Sequence, residues 1–331
     1  MRAPCVTLLL LAVSNAAALR VSPPRVRPAP AIDRRDLLRL ATALGGGAIT
    51  ALDSLPAFAA DRRPVLVLGA NGGTGEECVK ALLARGRPCI AATRTGDFVG
   101  DASSKLLQVA RGDVTSEASL RELIKPSSLS GVIYAASASR KDEAKKSSNA
   151  KQVDREGVVT CAQLCIESEV PRMVLVSSGG VSKPTSAVYL FLNLAANGIM
   201  DAKISGEDRL RRLYAAPGVA ERGVGYTVVR PGGLTREAAL GVGAVELNQG
   251  DEKSGRIARA DVAGICVESL ASPAAFDTTF ECYYANTAKG LGDVMASNAK
   301  GSTEATDIST GRERRAESWP ALFAGLERDP R

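Results

Sequence analysis

The chain contains no histidine in its 331 residues. Imidazole is the commonest mover of protons near neutral pH and a principal zinc ligand, so any chemistry here proceeds without it. Seven cysteines occur without a Cys-x-x-Cys pair, which removes the other familiar zinc spacings, and no metal site is expected. No apolar run reaches the ~20 residues that cross a bilayer, and no internal repeat is visible. A surplus of positive charge is also missing from most of the chain. Residues 1–59 carry seven Arg and three Asp, so +4 of the formal +6 lies there and the remainder is close to neutral. That near-neutrality removes the charge-based case for a nucleic-acid partner.

The first 59 residues read as a targeting leader. Met1 to Ala18 has a basic start, the run Val6-Thr-Leu-Leu-Leu-Leu-Ala-Val13 and small residues at Ala16-Ala-Ala18, as a secretory signal does. Arg20 to Pro30 is rich in Arg and Pro, with no acid before Asp33, which is transit-peptide composition. Asp33-Arg-Arg-Asp-Leu-Leu-Arg39, an apolar segment from Leu40 to Leu52 and Ala57-Phe-Ala59 then resemble a twin-arginine signal. Three addresses in series fit a plastid protein, with the thylakoid lumen as a further destination. The alternative for Leu37 to Leu52 is a membrane anchor, a poor one because Arg39 and Gly45-Gly-Gly47 interrupt it. The mature part is expected to have no membrane span. Its ~270 residues suffice for one α/β domain over 62–285, followed by a tail over 286–331.

What the mature part does contain is Gly69-Ala-Asn71-Gly72-Gly73-Thr74-Gly75, directly after the apolar run Pro64-Val-Leu-Val-Leu68. A helical pattern, Glu76 to Arg85, follows. Strand, glycine turn and helix in that order form the phosphate-binding start of a dinucleotide fold. Glycine closes the turn and lets backbone approach the diphosphate, while the free amides of the helix start hold the anion. The second strand, Pro88-Cys-Ile-Ala-Ala-Thr93, ends in Arg94. An acid there would bond a ribose 2′-hydroxyl; a guanidinium suits a 2′-phosphate. NADP(H) is therefore expected in preference to NAD, the alternative for Arg94 being a solvated loop residue.

Further strands are expected at Leu106 to Ala110, Gly131 to Ala135, Arg172 to Ser177, Tyr226 to Arg230 and Thr278 to Tyr284. Short ones are expected at Ala244 to Leu247 and Arg256 to Arg259. Helices are expected over Ser116 to Ile124, Gln152 to Glu169, Ala187 to Tyr214 and Ala260 to Leu270. The alternation predicts a Rossmann-like, doubly wound, mostly parallel sheet in a single domain. Loop 137–151, with Arg140, Lys141, Lys145 and Lys146, reads as a solvated connection, and 286–311 reads as poorly ordered. Trp319 to Leu326 has the pattern of a short helix able to dock back. Cys161 and Cys165 lie one helical turn apart, which suits core packing better than a redox pair.

With these segments the chain resembles the atypical short-chain dehydrogenases of the NmrA-like group, in their plastid branch. That branch includes a dehydrogenase-like component of the inner-envelope import machinery and small NADP-binding proteins of unknown substrate. The likeness runs from about Pro64 to Ala285. It rests on the glycine turn, Thr93-Arg94, Gly112-Asp-Val114, Val153-Asp154-x-x-Gly157, Val174-Leu-Val-Ser-Ser-Gly-Gly180, Ile199-Met-Asp-Ala-Lys203-x-x-x-Glu207, Val229-Arg-Pro-Gly-Gly-Leu234 and Ile257-Ala-Arg-Ala-Asp-Val-Ala263. The resemblance implies that Asp113 and Val114 flank the adenine. It places Ala135 and Ala136 along the ribose and diphosphate path, and Ser177, Lys203, Pro231, Gly232 and Gly233 at the nicotinamide end. For Asp113, Ser177 and Arg230 the alternative is a cap, a turn bond or a surface pair.

The family's proton-donating Tyr-x-x-x-Lys is missing. Tyr189-Leu-Phe-Leu-Asn193 places asparagine where lysine belongs, and a phenol near its ordinary pKa of about 10 is a poor acid alone. Tyr189 has an apolar setting that fits packing equally well, while Lys203 and Ser177 remain candidates for polarising a carbonyl. Two functions follow: a reductase of a small substrate needing little protonation help, or a sensor of NADP(H) occupancy within a plastid protein complex. Arg94→Ala is expected to weaken NADPH binding by about 1.5–3 kcal/mol and leave NADH nearly unchanged. Titration calorimetry with both nucleotides reads this, and equal losses would refute the assignment.

Overall fold

Burial along the first strand dictates a layered architecture. In β1 (Val65–Leu68) every side chain is fully buried, Val65 and Val67 in one apolar layer and Leu66 and Leu68 in the other. A strand buried on both faces needs helices on both. The structure, a computed structural model, describes residues 61–138, 150–294 and 308–330. The proposed leader and the basic cluster Arg140 to Lys146 lie outside the described residues.

β1 leads through α1 (Gly73–Ala84) to β2 (Cys89–Thr93), then β3 (Leu107–Arg111), α2 (Glu117–Leu123) and β4 (Gly131–Tyr134). A wide π-helical turn, Lys151–Glu156, opens α3 (Gly157–Glu167), followed by β5 (Arg172–Val176), α4 (Ala187–Ala195) and α5 (Ile199–Tyr214). The second half holds β6 (Gly225–Pro231), β7 (Gly233–Thr235), β8 (Val245–Asn248), β9 (Lys253–Ser254) and β10 (Arg256–Ala258). It ends with α6 (Arg259–Ala271), β11 (Thr278–Tyr284), β12 (Lys289–Gly290) and α7 (Trp319–Phe323). The main sheet runs β3-β2-β1-β4-β5-β6-β11-β8, parallel throughout except for the β11–β8 edge. The order reverses between β1 and β4, and ligands of such sheets bind at the carboxyl ends beside that reversal.

The two layers differ in make-up. One packs α1, α6 and α7 on the sheet through Cys78, Leu82, Cys266, Leu270 and Phe323. The other packs α2, α3 and α5 through Leu120, Cys161, Leu164, Cys165 and Leu210. Cys161 and Cys165 are thus buried and unbridged.

Three expectations change. The helix expected from Ala187 to Tyr214 is two helices, broken where Asn197 and Gly198 take φ of 50° and 81°. Asn193 supplies the reason: its Oδ1 accepts the amides of Met200 (3.0 Å) and Asp201 (3.2 Å), so one helix caps the start of the next. The helix expected from Gln152 starts with a widened turn instead, and the Val153 carbonyl accepts the Tyr134 hydroxyl at 2.6 Å.

The third change concerns the polar segment 286–311, whose described parts are ordered. β12 pairs with β9, and Lys253, almost fully buried, bonds Glu313 at 3.1 Å and Glu246 at 3.0 Å. Asp329 then accepts from Tyr226 of β6 (2.8 Å) and Thr279 of β11 (2.6 Å), tying the end of the tail to those two strands. The partners are far apart in sequence, so composition alone could not reveal them. Leu322 and Phe323 become fully buried as α7 docks. Phe323→Ala is expected to cost about 3–5 kcal/mol, read as a lowered urea midpoint; a loss under ~1 kcal/mol would mean that the tail packs only loosely.

Candidate cofactor site

The glycine turn is shaped for close approach. Gly69 has a φ of 80°, and a Cβ there would fall 2.6 Å from the Ala136 Cα. A Cβ on Gly75 would lie 2.2 Å from the Gly69 carbonyl oxygen, so turn and helix start touch backbone to backbone. Gly72 caps α1 without a side-chain bond, which leaves the first-turn amides of Gly73, Thr74 and Gly75 without a helical carbonyl. That is an anion-receptive terminus, and it fits a dinucleotide's phosphates.

Beside the turn a cleft of about 450 Å³ opens. Gly69, Asn71, Gly72, Arg94, Asp113, Val114, Ala135 and Ala136 all line it, together with Thr93 of the quoted Thr93-Arg94 and with Thr95 and Ser137, which the sequence did not single out. Several of the lining side chains are bonded within the chain itself. Asn71 donates to the Asp97 carbonyl (2.7 Å) and accepts the Val99 amide (2.9 Å), while Thr93 also bonds the Asp97 carbonyl (3.0 Å). Together they fix the loop that follows Arg94. Asp113 accepts both the amide and the hydroxyl of Thr115 (2.9 and 2.7 Å), closing the turn after β3.

Ala136 belongs to a second, narrow recess, shared with Asp154, Ser177 and Lys203. The Lys203 ammonium bonds Asp154 at 2.8 Å, and Asp154, almost fully buried, also accepts from Ser137 (2.7 Å) and the Ala138 amide (2.9 Å). The Ser177 hydroxyl is buried without a hydrogen-bond partner among the described residues. Gly206, one turn beyond Lys203, packs on this corner: a Cβ there would lie 2.4 Å from the Asp154 carbonyl. Asp154 is an anchor that sequence reading left without a role, although it stood inside the quoted Val153-Asp154-x-x-Gly157.

Pro231, Gly232 and Gly233 line a third cavity, of about 290 Å³, whose walls include Ser178, Gly179, Val188, Phe191 and Leu234. The three spaces follow one another along the carboxyl ends of the strands, from β3 across to β6.

Tyr189 lies apart from the recess. It packs with Val181, Ile199 and Met200, and its hydroxyl donates to the Asp201 carboxylate. Burial, then that carboxylate, push the phenol up to about 12, further from a neutral-pH acid. Asn193 bonds the same Asp201 through Nδ2 at 2.8 Å. Tyrosine and asparagine here serve one helix junction.

A sequence family described as NAD(P)H-binding matches residues 69–273, more than half of the chain. The chain belongs to the NAD(P)H-binding family. An uncharacterized chloroplastic protein of Arabidopsis thaliana is 31% identical over 219 residues, 63% of this chain and 72% of its own length. The oxidoreductase ylbE from Lactococcus lactis superposes with a TM-score of 0.54 at 20% identity, covering 72% of this chain and 97% of that one. A short-chain dehydrogenase/reductase of Veillonella parvula in complex with NADP superposes at 0.52 and 14% identity, covering 68% and 96%. Identities this low speak to the fold alone. The expected resemblance is borne out at the level of family, fold and a chloroplastic relative.

The junction yields a prediction. Asn193→Lys restores the family spacing in the sequence but removes the acceptor that caps α5. It is expected to lower stability by about 1 kcal/mol in urea unfolding, and an unchanged midpoint would show that the cap contributes nothing.

Proposed function

We propose that this is a plastid NADP(H)-dependent reductase whose substrate is small and largely apolar. The carrying observation is the third cavity, with Val188, Phe191, Leu192 and Leu234 among its walls and Pro231 to Gly233 at its base. It continues the line of the cleft and recess, so a substrate there would meet the nicotinamide end of a bound dinucleotide. When bound, the nicotinamide supplies or accepts the hydride.

The chain's own residues divide the remaining work. Gly69 and Gly72 to Gly75 receive the diphosphate, and Arg94 at the end of β2 favours the 2′-phosphate of NADP(H) over NAD. Asp113 and Val114 bound the adenine. Lys203, fixed by Asp154, is positioned to bond the ribose or polarise a carbonyl, and the buried Ser177 hydroxyl is available to donate in the same recess. With Tyr189 bonded to Asp201, protonation help is small, which favours acceptors such as quinones or flavins over simple ketones. The three-part leader and the chloroplastic relative support a plastid address; passage into the thylakoid lumen rests on Arg34 and Arg35, the apolar segment Leu40 to Leu52 and Ala57-Phe-Ala59.

The engaged tyrosine favours a second reading, in which NADP(H) occupancy is sensed and passed to a protein partner without turnover. Oxidation of NADPH, followed by its absorbance against a panel of quinones and flavins, separates the two. Leu234→Asp changes a half-exposed wall residue, so it is expected to raise the KM for an apolar quinone about tenfold with little change in NADPH affinity. Tight NADPH binding without oxidation by any acceptor would leave only the sensor.

A further inference from the structure

Gly73 has no conformational reason to be glycine. Its φ lies outside the left-handed region that gives Gly69 its identity, and glycine at a helical position costs up to about 1 kcal/mol relative to alanine. What occupies the space is Arg259: a Cβ on Gly73 would lie 2.8 Å from the Arg259 Nε and 2.9 Å from its Cδ. Arg259 begins α6, 186 residues further along the chain, so the second half of the fold extends a guanidinium over the first turn of α1. That guanidinium donates through Nη1 to the Thr235 carbonyl at 2.9 Å, and no carboxylate among the described residues pairs with it. Arg236, next along the same loop, is close enough that burial and this second cation both press Arg259 below the ordinary arginine range. A guanidinium laid over the helix start, first-turn amides without a side-chain cap and a cleared position form a site for an anion.

We propose that Arg259 is a diphosphate ligand of the cofactor site, contributed across the fold to the terminus of α1. Asp261, one position beyond on α6, accepts the amides of Leu240 (2.8 Å) and Gly241 (3.1 Å). The loop bearing Arg236 is therefore tied at both ends to the first turn of α6, and the Arg259 guanidinium is held in place before any ligand arrives. The inference concerns nucleotide binding and does not depend on whether hydride transfer follows.

Titration calorimetry of the purified mature chain with NADPH, NADH and ADP tests it, ADP carrying the diphosphate without nicotinamide. Arg259→Met is expected to weaken all three by about tenfold to hundredfold, in contrast to Arg94→Ala, which should affect NADPH alone. Arg259→Lys keeps the charge without the fork and is expected to recover part of the loss. Arg236→Ala, at an exposed position, is expected to cost a smaller factor with unchanged thermal stability. Unchanged NADH and ADP affinities in a folded Arg259→Met protein would overturn the inference and leave the NADP(H) reading standing. Lowered thermal stability with unchanged affinities would also overturn it, reducing Arg259 to an anchor for Thr235. If the parent protein bound none of the three nucleotides, both the inference and the proposed function would fall.

Discussion

Asp154 is the constraint on which the recess between the cleft and the apolar cavity depends. Its carboxylate is buried and joins the end of β4 through Ser137 and Ala138 to α5 through Lys203. A buried ion pair contributes little net stability against an apolar alternative, because two charges must leave water. Losing one partner is costly, about 3–5 kcal/mol, because the other charge remains buried. Such a pair is better at fixing geometry than at adding stability. Here it fixes Lys203 in one recess with Ser177, on the path between the cleft and the apolar cavity. The tight seat of Gly206 on the Asp154 carbonyl keeps α5 close enough for the lysine to reach.

A second buried network supports the apolar cavity from behind. Arg230 bonds Glu207 (2.7 Å) and Glu281 (3.2 Å), and Asp251 stands 4.0 Å away. All three carboxylates are essentially unexposed. Burial and then Asp251 push Glu281 up to about 7, against the pull of Arg230. The sign follows: a carboxyl whose folded pKa is raised contributes stability below its ordinary range and loses it as pH rises through about 7. Asp251 in turn accepts the amides of Gly180 (2.5 Å) and Ser182 (2.8 Å), so the loop after β5 is held by the same group that repels Glu281. Arg230 itself, which the sequence left open between a ligand role and a structural one, is enclosed by these acids and is absent from the cavity wall.

The sheet was readable in the sequence because its signals are local. Most strands at the centre of the sheet are short apolar runs, and the stretch Thr278 to Tyr284 is β11 itself. The glycine turn was readable for the same reason. What escaped reading depends on contacts between distant segments. The break at Gly198 follows from Asn193 capping the next helix, and the ordered tail follows from Lys253 meeting Glu313 and from Tyr226 meeting Asp329. The role of Asp154 needed α5 to be laid across it. Arg259 gave no signal at all, since nothing in Ile257-Ala-Arg-Ala-Asp points back to Gly73.

The absence of Tyr-x-x-x-Lys has a physical consequence beyond a missing acid. In this chain the residue at the lysine position organises the connection between α4 and α5, and the tyrosine bonds the acid that the same asparagine bonds. A single substitution to lysine would therefore disturb the junction before it created a catalytic pair. Among the described residues lining the recess the cation is Lys203, largely covered and already paired with Asp154. An ammonium so paired is an effective fixed dipole, able to bond an oxygen placed beside it. Chemistry limited in that way matches acceptors that take hydride readily. Nucleotide binding does not call on that acid, so the proposed reductase and the proposed sensor would share this one architecture.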